Sequence, residues 1–157
     1  MDNSSLNYLK LQQLIAFKLT TLANTITRAV SIELEKDFSI GITDHRILAV
    51  IAQNTTVSIS EITNLTKIDK GWISRSVNSL LEQGMITKMP DQKDARRVKL
   101  ALTDKGRELQ QQLYTQSVRR HELLLEKFTP GETAMLFELV EQLQGQSDIL
   151  LKEAEEK

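Results

Sequence analysis

The chain has 157 residues and a formal net charge of -1, a length that favours one domain or one compact functional unit. It is 40% hydrophobic but only 4% aromatic, and it has no cysteine; this predicts a core of Leu, Ile and Val and excludes disulfides, thiolate metal sites and cysteine-based redox switching. The near-neutral total hides an asymmetry: residues 67–107 hold ten basic and five acidic side chains, a net +5, whereas the remainder holds ten and sixteen, a net -6.

Taken in order, residues 6–35 read as one long helix. Leu11, Leu14, Ile15, Leu19, Leu22, Ile26, Ala29, Val30 and Leu34 recur at helical spacing. Leu9, Phe17 and Ile32 broaden the stripe, and a helix apolar over so much of its circumference needs several packing partners. A subunit interface and the centre of a monomeric bundle both satisfy that need. Gly41 breaks the pattern, and Thr43 is the expected cap of a second helix running to Gln53 with Ile47, Leu48, Val50 and Ile51 buried. A third, short helix is expected from Ser60 to Thr66, with Ser58 and Glu61 at capping-box spacing. Lys67 and Ile68 form a turn, and Asp69 caps the next helix.

That fourth helix, ending at Gln83, carries Ile73, Val77, Leu80 and Leu81 in one stripe. Its other side holds Gly71, Arg75, Asn78, Ser79 and Glu82, flanked by Trp72, Ser74 and Ser76, and Gly84 stands at the position of a left-handed helix stop. Two short helices joined by a tight turn, the second with small polar residues outward, make a helix-turn-helix. A helix entering a major groove about 12 Å wide needs a face free of bulky apolar groups. Ser, Asn and Arg supply hydrogen bonds to phosphates and base edges. The same helix also reads as an ordinary solvated amphipathic helix.

The ribbon that follows decides between these readings. Residues 86–89 and 97–102 are strand-like, with Val98, Leu100 and Leu102 on one side and Arg97, Lys99 and Ala101 on the other. The hairpin tip between them carries Lys93, Arg96 and Arg97, with Lys88 and Lys99 on its flanks. A basic hairpin after a helix-turn-helix is a winged helix, and its arginine can enter a narrow, electronegative minor groove. Asp94 is placed to pair with a neighbouring cation and shape the turn, not to touch DNA. Beyond it, Thr103 is the expected cap of a long helix to Phe128, and Thr129-Pro130-Gly131-Glu132 opens the last helix with a capping box and proline in its first turn.

These residues resemble the MarR family of bacterial transcriptional regulators. The resemblance rests on Ile42-Thr43, Ser58-Ile59-Ser60-Glu61-Ile62, Asp69-Lys70, Ser74-Arg75 and Leu81-Glu82-Gln83-Gly84-Met85-Ile86. Its most specific part is Asp91-x-Lys93-Asp94-x-Arg96 followed by Leu102-Thr103-x-x-Gly106, where the family usually reads D-x-R-D-x-R before L-T-x-x-G. Lys93 and Lys88 stand where the family often has arginine, which keeps the charge and loses the planar fork. Trp72 is bulky for a groove-entering helix and is expected to pack against the wing or a neighbouring helix.

The resemblance implies a mainly α fold with a small β-hairpin, a winged helix-turn-helix flanked by N- and C-terminal dimerisation helices. The corresponding divisions are residues 1–40, 41–106 and 107–157, within one compact unit. It implies a homodimer on a near-palindromic operator in double-stranded DNA, acting as a repressor that responds to a small-molecule effector. Ser74, Arg75 and Asn78 are expected in the major groove and Arg96 in the minor groove. Lys93 and Arg97 are expected on phosphates, and Ser58, Ser60 and Lys70 on phosphates through helix N-termini. The alternative is a winged helix that binds a protein partner without specific DNA binding. An enzyme is not expected. His45 and His121 are the only histidines, and no phosphate loop, dinucleotide fingerprint or activated nucleophile stands out; neither a metal nor a cofactor is expected. No apolar run of about 18 residues is present, and residues 1–5 lack the layout of a signal peptide, so a cytoplasmic protein with no membrane partner is expected.

Overall fold

The computed structural model describes residues 10–91 and 98–156. After a 3-10 turn at Leu11–Gln13, six helices and one hairpin follow: α1 (Ile15–Phe38), α2 (Ile42–Asn54), α3 (Ile59–Thr66), α4 (Lys70–Glu82), β1 (Ile86–Pro90), β2 (Val98–Leu102), α5 (Asp104–Leu125) and α6 (Pro130–Glu155). The mainly α fold with a small hairpin is as expected. No helix among the described residues is long and apolar enough to cross a membrane.

Local capping chemistry sets most boundaries. Ser58 Oγ accepts from the Glu61 N–H at 3.2 Å while Glu61 accepts from the Ser58 N–H at 2.7 Å, so α3 starts at Ile59, one residue before expectation. Asp69 accepts from the N–H groups of Gly71 and Trp72 and opens α4. At its far end Gly84 takes φ +68°, its N–H donates to the Leu81 carbonyl and the Met85 N–H donates to the Leu80 carbonyl. This pair of bonds satisfies carbonyls that the helix leaves open. Thr129 and Glu132 reciprocate in the same way at α6.

Three expectations change. Among the described residues the first helix begins at Ile15 and not near residue 6, because Leu14 is extended and Gln13 folds back to accept from the Lys10 N–H. It ends at Phe38, where Ser39 turns left-handed at φ 54°. The second helix is capped from Gly41, not Thr43: the Asp44 carboxylate reaches back to the Gly41 N–H and draws Ile42 into the first turn. The fifth helix stops at Leu125, three residues before Phe128.

The chain forms two compact units, Met1–Leu113 and Tyr114–Lys157. In the first, Leu34, Ile47, Leu48, Ile51, Ile62, Ile73, Val77, Leu80, Leu100 and Leu113 make a closed aliphatic core. The hairpin pairs antiparallel with Ile86 opposite Leu102 and Pro90 opposite Val98. Its burial is graded and not alternating as the sequence suggests: Leu100, Ala101 and Leu102 are all buried at the base, while Val98 is 52% exposed. A further backbone pair joins Leu100 to Val57, between α2 and α3. In the second unit α6 buries none of its residues, and Met135, Phe137, Leu139, Ile149 and Leu150 are exposed.

Candidate nucleic-acid interface

The helix-turn-helix is built by α3, the turn 67–69 and α4. Lys67 holds the left-handed conformation at φ 55°, its N–H donating to the Thr63 carbonyl, which reverses the chain in three residues. Ile62, Ile73, Val77 and Leu80 bury the inner sides of both helices, so the remaining sides of α4 face outward by helical geometry.

One of those sides opens onto a cleft of about 690 Å3 between the start of α3, α4 and the hairpin. Its polar lining is Ser58, Ser60, Lys70, Ser74, Asn78 and Lys88, and its floor is Ile59, Val77, Val98 and Leu100. Five of the nine residues expected to contact DNA are therefore brought together. Two ammonium groups, three hydroxyls and one carboxamide over an aliphatic floor suit an anionic, hydrogen-bonding partner. Lys88 joins them because it stands on β1 opposite Leu100; its position on the hairpin flank was legible, its place in this cleft was not.

Arg75 is not in the cleft. It lies on the other flank of α4, with its guanidinium carbon 4.3 Å from the centroid of the Trp72 ring. Trp72 is 60% exposed and carries this cation; the wing tip against which it is expected to pack lies outside the described residues. Lys93, Asp94, Arg96 and Arg97 lie outside the described residues.

The basic excess of residues 67–107 is partly spent inside the fold. Lys99, read from the sequence as a basic flank of the hairpin, is pulled inward: its Nζ donates to Glu61 at 2.6 and 2.9 Å and lies 4.0 Å from Asp91. The Lys99 ammonium, then the Ser58 hydroxyl and N–H, hold the Glu61 carboxyl at about 2, well below its ordinary value of 4.5. Lys105 donates to the Gln83 carbonyl at the end of α4, and Arg107 donates to the Leu102 carbonyl. The helix starts are partly occupied: the Glu61, Gly71 and Trp72 N–H groups donate to Ser58 and Asp69. These bonds take those N–H groups and leave the Ser60 hydroxyl and the Lys70 ammonium lining the cleft.

The hairpin is locked to the helices at its exit. Thr103 Oγ1 donates to the Gly84 and Met85 carbonyls at 2.7 and 3.1 Å and accepts from the Gly106 N–H at 3.1 Å, capping α5 as expected. Gly106 sits so close that a Cβ there would be 1.9 Å from the Met85 carbonyl oxygen. The Leu102-Thr103-x-x-Gly106 motif is thus the clasp between α5 and the turn from α4 to β1.

This arrangement recurs in known proteins. Residues 38–97 match the MarR family model. The chain is 26% identical over 134 residues to the HTH-type transcriptional regulator BilQ of Clostridium symbiosum (strain WAL-14163), covering 85% of this chain and 92% of that protein. It is similar to the crystal structure of a MarR/EmrR family transcriptional regulator from Acinetobacter sp. ADP1, with a TM-score of 0.83 and 28% identity over 89% of this chain and 99% of the other. The fold is shared with MepR in the S. aureus MepR–DNA complex, at a TM-score of 0.78 and 14% identity over 87% of this chain and 99% of that one. A helix-turn-helix joined to a hairpin, with the Thr103 and Gly106 clasp at its exit, is similar along most of the chain to these transcriptional regulators, and residues 38–97 are similar to the MarR family.

Proposed function

We propose that the protein is a sequence-specific, double-stranded-DNA-binding transcriptional regulator that acts as a homodimer on a near-palindromic operator. The observation that carries this reading is the cleft, which gathers Ser58, Ser60, Lys70, Ser74, Asn78 and Lys88 beside the exposed flank of α4. Ser74 and Asn78 offer hydrogen bonds to base edges, and Arg75 reads from the other flank. Lys70, Lys88 and the hairpin-tip residues Lys93 and Arg97 meet phosphates, and Arg96 enters the minor groove. MepR, of the same fold, was crystallised with DNA. Dimerisation is supported by α6, which among the described residues has no fully buried side chain and exposes Met135, Phe137, Leu139, Ile149 and Leu150, a face that needs another surface to leave water. A two-fold dimer sets two recognition helices about one DNA turn apart.

The finer reading is a repressor whose DNA-binding geometry shifts with a small-molecule effector. Gln110 supports an effector site: it is buried on α5, and among the described residues its Oε1 has no hydrogen-bond partner, an acceptor that a ligand donor would satisfy.

The test is selection of bound fragments from a random duplex pool, followed by titration of the selected site at several salt concentrations. Recovery of a palindromic site, with affinity falling as salt rises by a slope of about 0.9 per phosphate contacted, is expected. Failure to enrich any sequence, together with salt-independent binding, refutes the proposal and leaves the protein-interaction reading.

A further inference from the structure

Trp72 is the largest exposed apolar ring on α4, and its surroundings give it a task. The Arg75 guanidinium lies over the ring, 4.3 Å from its centroid. Arg75 Nη1 is also only 3.8 Å from the point where a side chain on Gly71 would begin. The arginine therefore runs back toward the start of α4, between the bare backbone at Gly71 and the face of the indole. Across the helix, Lys70, Ser74 and Asn78 face the cleft, so α4 presents two chemically distinct flanks.

A planar cation attracted to the face of an indole gives up rotational freedom before any partner arrives. Bidentate recognition of a guanine through O6 and N7 needs that fork held in one plane, and a side chain ordered in advance loses less on binding. We propose that Trp72 is a positioning residue: it fixes the plane of Arg75 and thereby sets the base pair, a guanine-containing one, that this flank of α4 selects. The inference rests on the DNA-binding reading above and adds to it a specificity determinant that acts without itself touching a base. Gly71 belongs to the same device, because a Cβ there would crowd the Asp69 carboxylate at 3.0 Å and narrow the channel in which the arginine lies.

The test uses the full-length protein and the selected duplex, with each base pair substituted in turn. Trp72→Ala is expected to lower discrimination at one G·C position by roughly 3- to 30-fold while leaving the salt slope unchanged, since the Arg75 charge remains. Trp72→Phe should retain most of the discrimination. Arg75→Lys, which keeps the charge and loses the fork, should reproduce the loss. In an Arg75→Ala background Trp72→Ala should add nothing, as expected when one residue acts through the other. Wild-type discrimination in Trp72→Ala, or a full additional loss in the Arg75→Ala background, overturns the assignment. Wild-type protein that binds no duplex in a salt-dependent way overturns the DNA reading itself, and this inference with it.

Discussion

Replacing Gly106 by alanine tests the clasp between the hairpin and α5. The added Cβ would stand 1.9 Å from the Met85 carbonyl oxygen, 3.0 Å from its carbon and 3.4 Å from Leu102 Cδ2. Non-bonded contacts settle near ~3.5 Å, so α5 and the Met85 peptide must part by roughly 1.5 Å. Neither side is a flexible side chain. The Met85 oxygen also accepts from the Thr103 N–H at 3.1 Å, and the Thr103 hydroxyl bonds the Gly84 and Met85 carbonyls, so separation stretches these bonds too. Overpacking costs about 1–3 kcal/mol and each weakened hydrogen bond about 0.5–1.5 kcal/mol, offset by about 1 kcal/mol from the better helix propensity of alanine. The net expectation is a loss of about 2–4 kcal/mol, or a melting temperature lower by roughly 5–15 °C for a chain of this size. Thermal melts at one fixed protomer concentration measure it, with Gly131→Ala as the comparison, because a Cβ there meets nothing within 4 Å. A Gly106→Ala protein melting within about 1 °C of wild type would show that α5 slides clear at no cost and would refute the clasp.

Glu61 supplies a pH-dependent prediction. Its folded value of about 2 lies below the ordinary 4.5, so its contribution is fully present above pH 4.5 and is lost as pH falls toward 2. Wild type should therefore lose stability relative to Glu61→Gln across that window, by less than the shift alone implies because the carboxylate is half-exposed to screening solvent; parallel melting profiles would remove Glu61 from the account. Arg96→Ala is expected to weaken binding to the selected duplex by roughly 1–3 kcal/mol, and unchanged affinity at fixed salt would sink the minor-groove role. Ile149→Asp combined with Leu150→Asp should raise the dimer dissociation constant by about 100-fold or more, since each side chain buried on association contributes roughly 1.5–3 kcal/mol. Sedimentation that finds the double variant as tightly dimeric as wild type would move the interface away from this end of α6.

The helix-turn-helix was legible because its punctuation is local. Asp69, Gly84, the Ser58 and Glu61 pair and the Thr129 and Glu132 pair act on backbone groups two to four residues away, within reach of a pattern read along the chain. At α2 Thr43 reads as the cap, and the reach of one carboxylate, Asp44, to the Gly41 N–H places the cap two residues earlier. What depended on distance in sequence was not legible. Lys99 meets Glu61 across 38 positions, so a side chain that reads as a basic flank ties β2 to α3 at the surface. Gly106 was visible as part of a motif, but its reason is the Met85 carbonyl, which only the folded chain brings beside it. By bulk Trp72 is a misfit on a groove-entering helix; the cation lying on it is a matter of rotamer, not of composition.

The pairing of Val57 with Leu100 bears on how these molecules behave in a crowd. Strands with unpaired N–H and C=O groups are templates for edge-to-edge aggregation. At the middle of β2 the Leu100 N–H donates to the Val57 carbonyl at 2.7 Å and the Val57 N–H donates to the Leu100 carbonyl at 3.0 Å, so that side of the hairpin offers a second copy nothing to pair with there. The other side belongs to β1, which carries Lys88 at its centre and ends in Pro90, a charge and a missing donor that both discourage strand addition. The lysine that lines the cleft thus also stands where a charge discourages the hairpins of neighbouring molecules from zipping together.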